Sequence, residues 1–176
     1  ITDLPDIWSL SSLRVVNDFS EEADNLAFTN LETLPEANGS AGVVDGYWVI
    51  SPGDSSLGSA YIYSLLDLGA DIRGASLQRN GPVHVYFEVV QPLIEFGGGS
   101  YRKAIIDVTI GLTNGSSDIL TDQYDAYNAM VRVGSTRDSF FVRDGDSNVA
   151  FGPLEGGVRY SVIMSIDYNT EKYQVF

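Results

Sequence analysis

The chain has 176 residues, of which 44% are hydrophobic, 11% aromatic and 19% charged, and it contains no cysteine. This length fits one domain with a sizeable core, and the composition excludes a disulfide scaffold, a coiled coil and a disordered tail. A net charge of −14 argues against a nucleic-acid partner, because cationic side chains supply the affinity for phosphates. No stretch of the sequence approaches the roughly 20 apolar residues that span a bilayer, so we expect no membrane insertion.

Charge is distributed unevenly along the sequence. Residues 1–71 carry twelve acidic side chains and one basic one, Arg14, whereas residues 72–176 carry twelve acidic and nine basic ones. Eight of the ten basic residues are arginines, whose planar fork suits hydrogen bonding to carboxylates and sugar hydroxyls. We therefore expect a ligand site in the second part of the chain.

Alternation of apolar and polar residues with a period of two dominates the chain, and helical periodicity is nearly absent. Residues 1–12 are interpreted as a linker or leading edge strand, and residues 13–176 as a single domain. Helical turns are predicted only within residues 18–30 and 119–127. The predicted strands are, in chain order, 47–51, 59–66, 82–90, 104–112, 129–133, 139–143, 159–167 and 172–176.

Turn signals rich in glycine separate these strands, such as Asp45-Gly46, Asn80-Gly81-Pro82 and Asp144-Gly145. Strands that recur at short intervals with such turns are typical of antiparallel sheets rather than of strand–helix–strand units. The sequence therefore predicts an all-β fold, specifically an antiparallel β-sandwich of jelly-roll type.

The strand over residues 82–90 has the clearest alternation. Its apolar odd-numbered residues are expected to face the core, which leaves His84, Tyr86 and Glu88 on the opposite face. Flat aromatic side chains stack on sugar rings and planar polar groups bind hydroxyls, so this face is a candidate polysaccharide site. The alternative, that such residues only pack or cover sheet edges, stays open, and Trp48 suits the core as well as a binding platform. Further candidate ligand-binding residues are Arg132, Tyr101, Arg102, Tyr124, Tyr127 and Trp48.

Several stretches resemble the concanavalin A-like lectin and glucanase superfamily, in particular its laminin-G-like jelly rolls. They are Val15-Val16-Asn17-Asp18-Phe19, Val43-Val44-Asp45-Gly46-Tyr47-Trp48, the strand 83–90, and 159–167 with 172–176, where Arg159 replaces the usual tryptophan. The resemblance implies binding or cleavage of polysaccharides, or adhesion. We expect a non-catalytic carbohydrate-binding module, secreted or at the cell surface, attached to a larger protein that degrades glycans.

The same resemblance implies a structural Ca²⁺ ion that ties the first strand to the last. Asp18 and Asp167 match the two acidic positions, with Asp45 as a possible addition, although all of them also suit solvent-exposed strand ends. A second calcium hypothesis rests on the Asp144-Gly-Asp-Ser-Asn148 run with Glu155, whose spacing fits an EF-hand loop. A hairpin with an Asp-Gly turn explains that run equally well.

Two enzymatic alternatives follow from the resemblance. A retaining glycosidase needs two carboxylates about 5 Å apart, and Glu88 has no acidic residue two positions away on its strand. A polysaccharide lyase acting on a uronate polymer would need an acid–base pair, for which His84 and Tyr86 are candidates. The lyase is the main alternative to a binding module, and a structural or adhesion domain is the third.

Overall fold

The computed structural model describes residues 28–32, 39–51, 62–66, 72–96, 100–103, 107–113, 127–134 and 138–176. Within these ranges the chain forms thirteen strands and one helix, and every strand pair is antiparallel. The predicted all-β class is confirmed, and the sandwich or jelly-roll arrangement of the sheets stays a prediction. The elements are β1 (Phe28–Glu32), β2 (Ser40–Val44), β3 (Tyr47–Ser51), β4 (Ile62–Leu66), α1 (Ile72–Arg79), β5 (Val83–Val90), β6 (Leu93–Phe96), β7 (Ser100–Lys103), β8 (Asp107–Thr113), β9 (Tyr127–Gly134), β10 (Ser139–Asp144), β11 (Ser147–Pro153), β12 (Arg159–Asp167) and β13 (Lys172–Val175).

The described residues divide into two compact units, one before and one after residue 71. In the first unit, β1 pairs with β4, and β2 pairs with β3. The β2–β3 connection is a two-residue turn in which Asp45 and Gly46 have φ angles of 50° and 77°. Two successive positive φ angles define a type I′ turn, whose twist matches that of the flanking strands. The Asp-Gly pair therefore sets the register of this hairpin.

Two larger sheets form most of the second unit. One has four strands in the order β11-β10-β9-β8, and the other has three in the order β13-β12-β5, while β6 and β7 form a separate hairpin. Strands that are adjacent in the four-stranded sheet are also consecutive in the sequence. In contrast, β5 pairs along its whole length with β12, and the paired residues are 69 to 83 positions apart in the chain.

The hydrophobic core of the second unit takes residues from both larger sheets. Val85, Phe87 and Val89 of β5 pack against buried residues of β9, β10 and β12. Each fully buried aliphatic side chain stabilises the fold by about 1.5–3 kcal/mol. Because alternate residues of a strand point to opposite sides, these inward rows leave the intervening residues on the outer faces. The buried residues are Ala129, Val131, Val133, Phe140, Leu154, Val162, Met164 and Ile166.

The helix α1 ends in a hydrogen-bonded cap. Asn80 follows the helix with a φ angle of 51°, and the Gly81 N–H donates to the Ser76 carbonyl at 3.3 Å. This hydrogen bond joins residues five positions apart and encloses Asn80, whose backbone is left-handed. Such an arrangement is a Schellman motif, and it satisfies a backbone carbonyl in the last helical turn. The Asn80-Gly81-Pro82 signal thus marks a helix end as well as the start of β5.

Polar contacts rather than an apolar stripe attach α1 to the hairpin of β12 and β13. Ser76 is fully buried, and its hydroxyl donates to the Gly81 carbonyl at 2.9 Å and accepts from the Tyr168 N–H at 3.0 Å. The Asn169 side-chain amide donates to the Ser76 carbonyl at 3.1 Å. The helix was not predicted, because an eight-residue segment with a buried serine gives no amphipathic pattern.

The predicted element boundaries agree with the structure most closely where the alternation is strongest. β3 and β12 begin and end at the predicted residues, and β5 begins one residue later than predicted. The helical turn predicted within 18–30 is wrong where it is described, since Phe28 begins a strand. Most of the helical turn predicted over 119–127 lies outside the described residues, and its last residue, Tyr127, begins β9. The strands β1, β2, β6, β7 and β11 were not predicted.

Candidate functional site

β5 and β12 present polar side chains on the outer face of the three-stranded sheet. The inward packing of the β5 valines and phenylalanine leaves His84, Tyr86 and Glu88 on the outer face, as predicted. The antiparallel register sets Ser161 opposite Glu88 and Ser165 opposite His84. Directly opposed side chains of an antiparallel pair lie close enough to interact. We call this surface the polar face. Its residues are His84, Tyr86, Glu88, Arg159, Ser161 and Ser165.

The Glu88 carboxylate joins the two strands of the polar face. The Tyr86 hydroxyl donates to Glu88 Oε1 at 2.6 Å, and Arg159 Nη1 donates to Glu88 Oε2 at 2.7 Å. The side chains of Arg159 and Glu88 are 55% and 39% exposed. An ion pair this exposed stabilises folding by at most about 1 kcal/mol, and it leaves both charged groups within reach of a ligand.

These contacts also set the protonation of the two groups on β5. The hydrogen bond from Tyr86, followed by that from Arg159, lowers the pKa of Glu88. The same bond raises the pKa of Tyr86, because an ionised phenol would face a carboxylate, and the contact with Ser161 opposes this shift. Glu88 is therefore ionised and Tyr86 protonated near neutral pH. A phenol with a raised pKa is poorly suited to abstract a proton, as a uronate lyase would require.

His84 and Ser165 form a second polar pair on the same face. His84 Nδ1 lies 2.9 Å from the Ser165 hydroxyl oxygen, and the direction of this bond depends on the imidazole tautomer. Partial burial lowers the pKa of His84, so the ring is neutral near pH 7. Further along the strand pair, the Tyr86 and Ser161 hydroxyl oxygens are 3.3 Å apart. The polar face thus combines an aromatic ring, which has Ile163 directly opposite it, with hydrogen-bonding groups on both sides that carry opposite charges at one end.

The structure does not bring Arg132 to the polar face. Arg132 lies in β9 between two valines of the core, and it pairs across the strands with Phe141. Alternation therefore places Arg132 on the outer face of the four-stranded sheet. The core shared by the two sheets lies between that face and the polar face.

The other predicted ligand-binding residues have different positions. Tyr127 is half-buried at the start of β9, and Trp48 is half-buried in β3 of the first unit. The backbone of Tyr101 and Arg102 lies in β7, and their side chains and all of Tyr124 lie outside the described residues. Of the predicted set, the structure therefore brings together the three β5 residues His84, Tyr86 and Glu88.

Sequence reasoning missed the β12 half of the polar face. Arg159, Ser161 and Ser165 alternate with the buried residues of β12, so their outward direction could be read from the sequence. Their partners could not, because the β5–β12 register joins segments with no local connection. The sequence did contain one indication of the pairing, because Glu88 and Arg159 carry opposite charges and each lies on the outer side of a strongly alternating strand.

Two of the three predicted calcium ligands, Asp45 and Asp167, lie in the described part of the chain. Asp18 lies outside the described residues, and Asp45 occupies the β2–β3 turn. The Asp167 carboxylate accepts from the Asn169 N–H and side-chain amide and from the Thr170 hydroxyl, which lowers its pKa. Among the described residues, no three His, Asp or Glu side chains lie together as metal ligands. Ca²⁺ requires about six to eight oxygens, so Asp167 by itself is not a site.

The EF-hand hypothesis for residues 144–155 is wrong. Asp144 ends β10 and Ser147 begins β11, and the two are paired across a two-residue turn. Gly145 has a φ angle of 56°, as the first central residue of a type II′ hairpin turn requires. An EF-hand would need helices on both sides of the loop, whereas both flanks here are strands.

Comparison with known proteins gives no relative for this chain. No family model matches the sequence, no curated protein matches it, and no solved structure matches its fold. The resemblance to concanavalin A-like jelly rolls therefore stays a prediction from the sequence. In the part of the chain that the structure describes, no helix has the length and apolar character needed to cross a membrane.

Proposed function

We propose that the chain is a non-catalytic carbohydrate-binding module that binds a polysaccharide through the polar face. The observation that carries the proposal is the position of Tyr86, whose hydroxyl lies within hydrogen-bonding distance of Glu88 and Ser161 on an outward-facing strand pair. An aromatic ring supplies a stacking surface for a pyranose, while the carboxylate and guanidinium beside it bind hydroxyls. This combination is what recognition of a sugar chain requires.

The resemblance described for the sequence is consistent with the same role. Carbohydrate-binding modules of concanavalin A-like folds are attached to secreted or surface proteins that act on glycans, and we extend that setting to this chain as part of the proposal. Fold class alone does not distinguish binding from catalysis. The proposal therefore rests on the side chains of the polar face.

A comparison of variants in affinity gel electrophoresis against a panel of soluble polysaccharides tests the proposal. Tyr86→Ala should weaken binding about fivefold or more, because truncation of a central aromatic contact costs more than about 1 kcal/mol. Tyr47→Ala removes an exposed tyrosine from the other unit and should bind like the wild type. Equal binding by the wild type and Tyr86→Ala would contradict the proposed site.

The position of Arg132 provides a second control. It lies across the core from the polar face, so Arg132→Ala should leave binding unchanged if the polar face is the site. Loss of binding in Arg132→Ala with full binding in Tyr86→Ala would move the site to the outer face of the four-stranded sheet.

Incubation of the wild type with uronate polymers separates the binding module from the lyase. A binding module leaves the ultraviolet absorbance unchanged, whereas a lyase produces unsaturated uronates that absorb. A rise in absorbance that is absent in His84→Ala would replace the proposed function by the lyase alternative.

A bound calcium ion is a further part of the proposal, with Asp167 as one ligand. An ion that binds only the folded state raises its stability by mass action, so EDTA should lower Tm and added Ca²⁺ should restore it. Unchanged Tm under both conditions would remove the ion from the proposal.

A further inference from the structure

We infer that the polar face takes a neutral polysaccharide rather than an anionic one; this inference rests on the proposed function. Arg159 is the one arginine among the described residues of the polar face, and its Nη1 donates to Glu88 Oε2 at 2.7 Å. Recognition of a uronate or sulfate group needs a cation whose charge is available to the ligand. Here the exposed guanidinium already faces a carboxylate, so the pair as a whole presents no net positive charge to a ligand.

The remaining charges on the same face of the sheet also balance. β12 places Asp167 on the side of Ser161 and Ser165, and the register with β13 sets Lys172 opposite it. Within the described strands β5, β12 and β13, this face therefore carries two acidic and two basic side chains. Its histidine adds no charge near pH 7, because burial lowers the pKa of His84.

The net charge of the whole chain also disfavours an anionic ligand. A net charge of −14 creates a negative potential around the molecule, which repels polyanions and slows their association. Arg132, predicted from the sequence as a candidate ligand-binding residue, is on the far side of the core. An anionic polymer would thus approach a negative molecule and find a site with no net positive charge.

The Glu88–Arg159 pair matches the chemistry of neighbouring sugar hydroxyls. Each hydroxyl both donates and accepts a hydrogen bond. A carboxylate can only accept and a guanidinium can only donate, so the pair addresses two adjacent hydroxyls in complementary ways. Tyr86, two residues from Glu88 on the same strand face, supplies the apolar surface for the sugar ring.

Isothermal titration of the wild type against two sets of soluble polymers tests the inference. The neutral set is a mixed-linkage glucan, a xyloglucan and a galactomannan, and the anionic set is alginate and polygalacturonate. We expect binding to at least one neutral polymer, with an affinity that changes less than twofold between low and moderate salt. We expect no measurable heat with either anionic polymer.

A charge variant isolates the role of the pair. Glu88→Gln keeps a hydrogen-bond acceptor for Tyr86 but removes the negative charge beside Arg159, so it should weaken binding of the neutral polymer. The same variant should gain salt-sensitive binding of polygalacturonate. Glu155→Gln makes the same change in net charge at an exposed position between β11 and β12 and should reproduce the wild type in both measurements.

The outcomes separate this inference from the proposed function. Tighter binding of an anionic polymer than of every neutral one would overturn the inference and leave the binding module intact. Failure of Glu88→Gln to change either affinity would also overturn it. Binding of neither set by the wild type would overturn both the inference and the proposed function.

Discussion

The hydroxyl of Tyr173 hydrogen-bonds to the backbone of Arg143, just beyond the last residues that pair β9 with β10. The last paired residues of these strands are Val131 and Val142. At the next position, the Arg143 N–H donates to the Tyr173 hydroxyl oxygen at 2.9 Å, and that hydroxyl donates to the Arg143 carbonyl at 2.8 Å. The Met130 carbonyl lies 3.3 Å away. Since Tyr173 belongs to β13, one phenol connects the two larger sheets.

Tyr173→Phe should lower the free energy of unfolding by about 1–3 kcal/mol, because it leaves partly buried backbone groups of Arg143 without a partner. The ring is retained, so the apolar packing is unchanged. Chemical denaturation monitored by fluorescence measures the effect. Tyr47→Phe alters an exposed tyrosine and should change the stability by less than about 0.5 kcal/mol. Equal stability of Tyr173→Phe and the wild type would mean that water replaces the phenol.

The attachment of α1 depends on one buried hydroxyl. Ser76→Ala removes the donor to the Gly81 carbonyl and the acceptor for the Tyr168 N–H, so we expect a loss of about 1–3 kcal/mol in the free energy of unfolding. Hydrogen exchange should accelerate at the Tyr168 amide in particular. Ser147→Ala, at an exposed turn position, is the matched control. Unchanged exchange at Tyr168 would contradict the assigned role of Ser76.

Gly111 is required by a close approach between β8 and β9. A Cβ atom there would overlap the Ala129 carbonyl oxygen and lie 3.0 Å from Met130 Cα, and both are backbone atoms that cannot turn aside. Gly111→Ala should therefore lower Tm and cost about 1–3 kcal/mol through forced backbone shifts. At Gly152 an added Cβ meets nothing within 4 Å, so Gly152→Ala should be tolerated. Similar Tm values for the two variants would refute this account.

The stability of the fold should depend on pH through its single histidine. Burial lowers the pKa of His84 in the folded state below its ordinary value of 6.5, so the unfolded chain takes up the proton first. Above pH 6.5, His84 is neutral in both states and the free energy of unfolding keeps its full value. As the pH falls from 6.5 through the lowered pKa of His84, the free energy of unfolding decreases.

Denaturation of the wild type and His84→Gln between pH 7 and pH 5 measures this effect. The wild type should lose more stability than His84→Gln, and NMR titration of the imidazole should give a pKa below 6.5. An identical pH dependence in the two proteins would show that His84 protonation is not linked to folding.

Alternation in the sequence was sufficient to predict most of the described strands and, in β5, the direction of the side chains. The inward valines and outward His84 and Tyr86 of β5 follow from a period of two, because burial of one face requires it. The same signal gave the bounds of β12. Short hairpins with little alternation, such as β6 with β7, lack that signal and were missed.

The contacts between strands that are distant in sequence could not be predicted. Glu88 meets Arg159 only because β5 lies beside β12, and a β-strand gives no indication of its partner when the connection is long. Arg132 has the same alternation as the residues of the polar face, yet its strand belongs to the other sheet. The sequence indicates that a residue lies on the outer face of a sheet. Which sheet that is depends on the order of the strands, which the sequence does not show.

The polar face is preorganised, because both carboxylate oxygens of Glu88 are engaged before a ligand arrives. Its side chains lose their rotational freedom when the protein folds rather than when a sugar binds, which reduces the entropic penalty of association. A sugar on such a surface stacks on one aromatic ring, Tyr86, and otherwise exchanges hydrogen bonds, so it buries only a small apolar area. Binding should therefore be driven by enthalpy with only a small change in heat capacity, and its affinity should decline steadily on warming.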